Sequence, residues 1–194
     1  MKGEFLGYIM NKMISGGISG AITDETSAEA QKSAIIDYEK IRNDKYDIEK
    51  IAKNTGYSEL QIKIIKNYLF YDKHKIEDNT IERFNPSFYI SQSWKRLRDE
   101  PNNIQEHDLL LLKHESLEIS LVMQGYDQDE AHNITEEKYN YKKMGDEYYE
   151  KLRNLQKRQH KQTPLNWKIL KALDEMVAKA NAREDKRMSK KGGK

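Results

Sequence analysis

Between Glu106 and His132 the chain reads EHDLLLLKHESLEISLVMQGYDQDEAH. This is the pattern of a long apolar helix, a glycine stop at Gly125 and a second helix starting near Asp127. A tight turn over residues 125–127 folds the second helix back antiparallel on the first. Three of the five histidines lie in this stretch, at positions 107, 114 and 132. His107, His114 and Glu118 share a face with Leu111, because residues spaced by four, seven and eleven stack on one side of a helix. Glu115 occupies the adjoining stripe, between Leu112 and Ile119. A reversal centred on Gly125 sets His132 opposite Glu118, so His114, Glu115, Glu118 and His132 are expected in one neighbourhood. Leu109, Leu112, Leu117, Ile119 and Val122 are expected in the core.

Polar residues set into a leucine stripe need partners, since an unpaired buried carboxylate is costly. One partner is a divalent metal such as zinc, which takes imidazole and carboxylate ligands that a helix presents at i and i+4. His114 and Glu118 form that pair, His132 completes three ligands, and a fourth position is left for water. Glu115 then stands beside the water as general base. The pattern His114-Glu115-x-x-Glu118 departs from the H-E-x-x-H of metallopeptidases at the second ligand. A metal-free acid/base pair built from these groups, with His107 as a further candidate catalytic residue, is a second option. The third is purely structural: His132 bonds Glu118 across the hairpin, while His107 and Asp108 decorate the first turn of the helix.

The rest of the chain reads as helices. Thr26-Ser27-Ala28-Glu29 has the form of a capping box, opening a helix to about Asn43 that buries Ala34, Ile35, Tyr38 and Ile41. The run DIEKIAKNTGYSELQIKIIKNYLFYDKH resembles a helix-turn-helix, with Ala52, Gly56 and Ile62 at its packing and turn positions and Ser58 capping the second helix. Glu59, Gln61, Lys63, Lys66 and Asn67 are its expected exposed face, with a purely architectural corner as the alternative to DNA binding. A polar connection carrying His74 follows. Asn85-Pro86 starts a helix with Phe88, Ile90, Trp94 and Leu97 turned inward, and a turn forms around Pro101. After His132 the second hairpin helix weakens at Gly145 and resumes towards His160, and Thr163-Pro164 opens a last amphipathic helix. No strand-like alternation is long enough to predict a sheet.

These elements predict an all-α fold, a single bundle of six or seven helices. Residues 1–23 form a flexible lead-in, 24–162 the helical domain, and 163–194 a C-terminal helix with a basic tail. With 34 Lys+Arg against 32 Asp+Glu no global field draws in nucleic acid. The absence of cysteine excludes disulfides, thiolate zinc sites and cysteine nucleophiles. No uncharged apolar run reaches the length of a membrane span.

The segments IAKNTGYS, KNYLFYDKH, RFNPSFYISQSW, HDLLLLKHESLE and GYDQDEAH-to-KYNY together resemble a helical domain at the C-termini of phage minor head (head-morphogenesis) proteins of Gram-positive bacteria and their prophages. The resemblance covers residues 48–149. It implies an exchangeable, toxin-like effector module, found in the host cytoplasm or associated with the virion, with an immunity protein or a virion protein as partner. It carries over no catalytic residue. Two functions follow as expectations: a hydrolase acting through the hairpin, with nucleic acid preferred over peptide because lysine-rich helices flank it, or a non-enzymatic phage protein that binds DNA or a virion partner through the helix-turn-helix-like corner.

Overall fold

Each helix begins where a side chain can accept the orphan amides of its first turn. In the computed structural model, which describes residues 21–75 and 80–158 together with 168, 169, 171–173, 175 and 176, the helices run α1 (Ala28–Asn43), α2 (Asp47–Thr55), α3 (Glu59–Phe70), α4 (Phe88–Asp99), α5 (Glu106–Met123) and α6 (Gln128–Lys138). Residues 141–150 form α7. The architecture is all-α apart from one two-residue antiparallel pair, β1 (His74–Lys75) and β2 (Ile81–Glu82), in which His74 faces Glu82. A pairing that short carries no alternation, which is why the sequence shows no strand. Residues 22–150 make one compact unit, and residues 151–158 of the second unit are helical. Of the expected lead-in over 1–23 only residues 21–23 are described, and Thr23 among them is buried; the Thr163-Pro164 cap and the basic tail lie outside the described residues. Among the described residues no helix is long and apolar enough to cross a membrane.

Two caps fall later than the sequence suggests. Ser27, not Thr26, caps α1 by accepting from the Ala30 amide. The Thr26 hydroxyl is already donated to Asp24. Ser87, not Asn85, caps α4 through the Ile90 amide. On α1 the buried face is Ala30, Ala34, Tyr38 and Ile41, whereas Ile35 is 56% exposed, because α3 and α4 pack against one side only.

The corner between α2 and α3 forms as its spacing predicts. Gly56 ends α2 at φ 79°, a left-handed conformation that costs glycine nothing. Ser58 and Gln61 then cap α3 reciprocally. Ile62 is fully buried and Ala52 packs beside it. Lys66, expected on the exposed face, is instead buried: its ammonium donates to Asp47 Oδ1 and to the Asp44 carbonyl, each at 2.8 Å. Asp47, with no exposed surface, also accepts from Trp94 Nε1 at 2.9 Å and from the Ile48 amide. One carboxylate therefore joins α2, α3 and α4. Around it pack Tyr38, Ile51, Ile65, Phe70, Trp94 and Leu97, with Leu112 reaching in from α5.

Helix α5 lies against α3 and α4 and turns back at Gly125 (φ 99°) into α6, which Asp127 caps. Its buried apolar residues are Leu111, Leu112 and Leu121. Leu117, Ile119 and Val122 are only half-buried and Leu109 is 37% exposed. Leucines occupy nearly every stripe of α5, so periodicity cannot choose its inner face. The ionic residues choose it, because they must reach their partners. The expected interruption at Gly145 lies instead at residues 139–140. Gly145 runs on inside α7, where an added Cβ would meet the Tyr89 ring at 3.0 Å.

Removing the Asp47 carboxylate leaves Lys66 buried and uncompensated. Asp47→Ala is expected to destabilise the fold by about 3–5 kcal/mol in urea denaturation at neutral pH, and pairing it with Lys66→Met should recover part of the loss.

Candidate metal centre

The α5–α6 hairpin delivers the juxtaposition expected from its spacing. Glu118 lies in the middle of it, with both oxygens occupied. Oε2 lies 2.8 Å from His132 Nδ1 across the hairpin and 3.2 Å from His114 Nε2 one turn back. Oε1 accepts from the Tyr68 hydroxyl at 2.8 Å and from Gln128 Nε2 at 2.6 Å. One ligand atom from each of His114, Glu118 and His132 falls within 4.8 Å of the others. His114 and Glu118 are buried, while the His132 side chain is 53% exposed and forms the open side of the cluster.

The tautomer of His114 is set by its other nitrogen. Nδ1 lies 2.8 Å from the Tyr139 carbonyl oxygen, which can only accept, so Nδ1 carries a hydrogen. Nε2 and Glu118 Oε2 are then two acceptors facing each other unless a cation lies between them. With no metal, that cation is a second imidazole proton. Burial would lower the pKa of His114, but the hydrogen bond with Glu118 and the charge of Glu115 lift it to about 9. Burial alone would raise Glu118, yet hydrogen bonds from His114, His132 and Tyr68 bring it down to about 2. The bond to Glu118 likewise raises His132.

Glu115 is of a different kind. It is buried beside this cluster, and among the described residues no group hydrogen-bonds its carboxyl. Burial first, and then the charge of Glu118, push it up to about 8. It lines a cavity of about 440 Å³ together with His114, Glu118, His132 and Gln128 and with Tyr38, Leu69, Phe84 and Ile90. A cleft therefore opens beside the cluster, with a histidine and not a carboxylate as its solvent-facing ligand.

His107, the other catalytic candidate, belongs elsewhere. It lies two turns up α5, about 10 Å along the axis, and does not line the cavity. Its Nε2 accepts from Arg96 Nη2 at 2.8 Å, and Arg96 also clasps Asp108 at 2.7 and 2.8 Å. Burial and the Arg96 charge hold His107 neutral, with its pKa lowered to about 4. This network ties α4 to α5 and has no open face.

Sequence reading missed the groups that orient the cluster. Gln128 stands one turn before His132 on α6, a spacing that marks it as a neighbour in retrospect. Tyr68 is fifty residues away from Glu118 along the chain and carries no such signal. Comparison with protein-family models, with curated proteins and with solved structures gives no match to this chain.

The same shifts set how the metal-free fold responds to pH. His114, raised from 6.5 to about 9, contributes stability that is complete below 6.5 and is lost as pH climbs through 9. Glu115, raised from 4.5 to about 8, costs stability across that interval because the unfolded carboxyl ionises first. Glu118, lowered from 4.5 to about 2, withdraws its contribution only on acidification below 4.5. The urea midpoint in the presence of a chelator should therefore be higher at pH 6 than at pH 9. Glu115→Gln should shrink the difference, and a profile that rises towards pH 9 would contradict these assignments.

Proposed function

We propose that this chain is a metal-assisted hydrolase, a toxin-like effector domain of the kind its resemblance to phage minor head C-terminal domains suggests. In this reading His114, Glu118 and His132 bind a divalent ion such as zinc, and Glu115 is the general base. The observation that carries it is the convergence of His114 Nε2 and His132 Nδ1, at 3.2 and 2.8 Å, on one oxygen of a buried carboxylate, Glu118 Oε2. Ligand atoms around a tetrahedral zinc held at about 2.0–2.1 Å lie about 3.3 Å apart. The two pairs through Oε2 stand at 3.2 and 2.8 Å, and all three ligand atoms lie within 4.8 Å of one another.

The surroundings support the same reading. Metal-ligating histidines donate their second nitrogen to a carbonyl or carboxylate. His114 gives Nδ1 to the Tyr139 carbonyl, with Glu136 at 3.6 Å behind it. Tyr68 and Gln128 hold Oε1 of Glu118 and so turn Oε2 towards the histidines.

A bound dication supplies Lewis-acid polarisation of the scissile group and of water. The protein's own residues do the rest. Glu115 is neutral at pH 7 in the metal-free cluster, and a nearby dication favours its ionised form. It thus becomes a carboxylate with a pKa near the working pH, the condition for an efficient general base. Folding alone gains nothing from an unpaired buried carboxyl, which supports a catalytic reason for its presence. DNA binding through the corner is less well supported, since Lys66 is committed to Asp47 and Lys63 is the remaining lysine on the exposed face of α3.

Purified protein loaded with zinc and dialysed should retain about one ion per chain. Glu118→Gln or His132→Ala should lower the affinity by about 10- to 100-fold or more, and Tyr68→Phe by less. Glu115→Gln should keep the ion and lose hydrolysis and toxicity. Failure of the wild-type chain to retain zinc, manganese or nickel would overturn the metal reading. Binding should also release protons, seen in calorimetry as a heat that changes with the ionisation enthalpy of the buffer, because His114 and Glu115 are protonated at pH 7 before the ion enters.

A further inference from the structure

We infer that the bond cleaved at this site is a peptide bond, next to an apolar or aromatic side chain seated in the cavity beside Glu115. The inference rests on the hydrolytic reading above and names its substrate.

The lining of the cavity is mixed: beside the proposed ligands and Glu115 stand the apolar and aromatic side chains Tyr38, Leu69, Phe84 and Ile90. Phe84 is held in place by stacking on His74 at 3.9 Å, and His74 is itself anchored at 2.8 Å to the Tyr68 carbonyl. A largely apolar lining with a few convergent polar groups is the composition that seats an apolar side chain and fixes the bond beside it.

The charges lining the cavity point away from a phosphodiester. Proteins that hold a nucleic-acid backbone neutralise its phosphates with lysine and arginine. Among the described residues no arginine lines the cavity, and Glu115, Glu118, Asp129 and Glu136 outnumber Lys75 and Lys142. Lys142 is already held by Glu25 at 2.7 Å. A bound dication offsets two of these negative charges and leaves no cationic track for a second phosphate. A peptide brings no backbone charge, and its amide needs only polarisation, a base and a place for one side chain.

The step balances with water as the only co-reactant. The water oxygen bonds to the carbonyl carbon as Glu115 takes one of its protons. The C–N bond then breaks with its electron pair passing to nitrogen, which takes the proton from Glu115. A carboxylic acid and an amine leave, and nothing is oxidised or reduced.

The test uses the full zinc-loaded chain against quenched fluorescent peptides of Gly-Ser background, each with one central Phe, Leu, Ala, Asp or Lys. Single- and double-stranded oligonucleotides are run in parallel. The expected result is cleavage beside Phe or Leu at least about tenfold faster than beside Ala or Asp, in the range one or two methylenes are worth in an apolar pocket. Oligonucleotides should stay intact. Ile90→Trp, which fills the cavity from its apolar lining, should erase the preference for Phe while leaving the zinc content unchanged. Peptide cleavage indifferent to the central residue would overturn the inference. Glu115-dependent cleavage of oligonucleotides alone would overturn the inference and leave the hydrolase standing. A zinc-loaded chain that cuts neither would overturn both.

Discussion

Glu118 has to be ionised and it has to be buried, and most of what is particular to this fold follows from that pair of demands. A carboxylate out of water survives only where hydrogen bonds and opposite charge replace its hydration. Glu118 meets the condition with four donors from three helices: Tyr68 on α3, His114 on α5, and Gln128 and His132 on α6. Because the donors come from separate elements, satisfying one side chain sets the register of the hairpin and its seat against α3. A slip of one residue in either helix would turn Glu118 or His132 away and strand the charge.

The same device recurs where no chemistry is implied. Asp47 binds Lys66, Trp94 and the Ile48 amide, and Asp108 accepts from Nε and Nη2 of Arg96 and from the Gln105 amide. Both carboxylates are fully enclosed and hydrogen-bonded, and neither lines the cavity beside Glu115. Glu115 breaks this rule. It is buried too, yet no donor reaches it among the described residues and it lines the cavity. Within one molecule, satisfied carboxylates thus hold helices together, and the one left without a donor stands beside the only cluster of metal-ligand geometry found among the described residues.

Much of the site was legible because helices translate spacing into geometry. Positions 114 and 118 stack by periodicity, and a reversal at Gly125 places 132 against 118 by counting alone. Gly56, Ser58 and Ile62 announced the α2–α3 corner in the same local way. The misreadings share a cause. Lys66 and His107 look like solvent-facing or reactive groups by residue type, and both are internal because Asp47 and Arg96 come to meet them. Ser27 and Ser87 displaced the expected caps by one and two residues, since several neighbouring residues can cap and only the final chain path selects one.

The sequence by itself determined the helical content, the hairpin, the corner and the pairing of His114 and Glu118 with His132, because each depends on contacts within one or two turns or across one short reversal. Tertiary structure alone decided which face of α5 is inward, which charges are paired and which is left unpaired, and that Tyr68 and Phe84 complete the site. Those outcomes depend on side chains from separate elements meeting in a medium where an unpaired charge is expensive. No local pattern records that condition, because it is met only when the helices are packed.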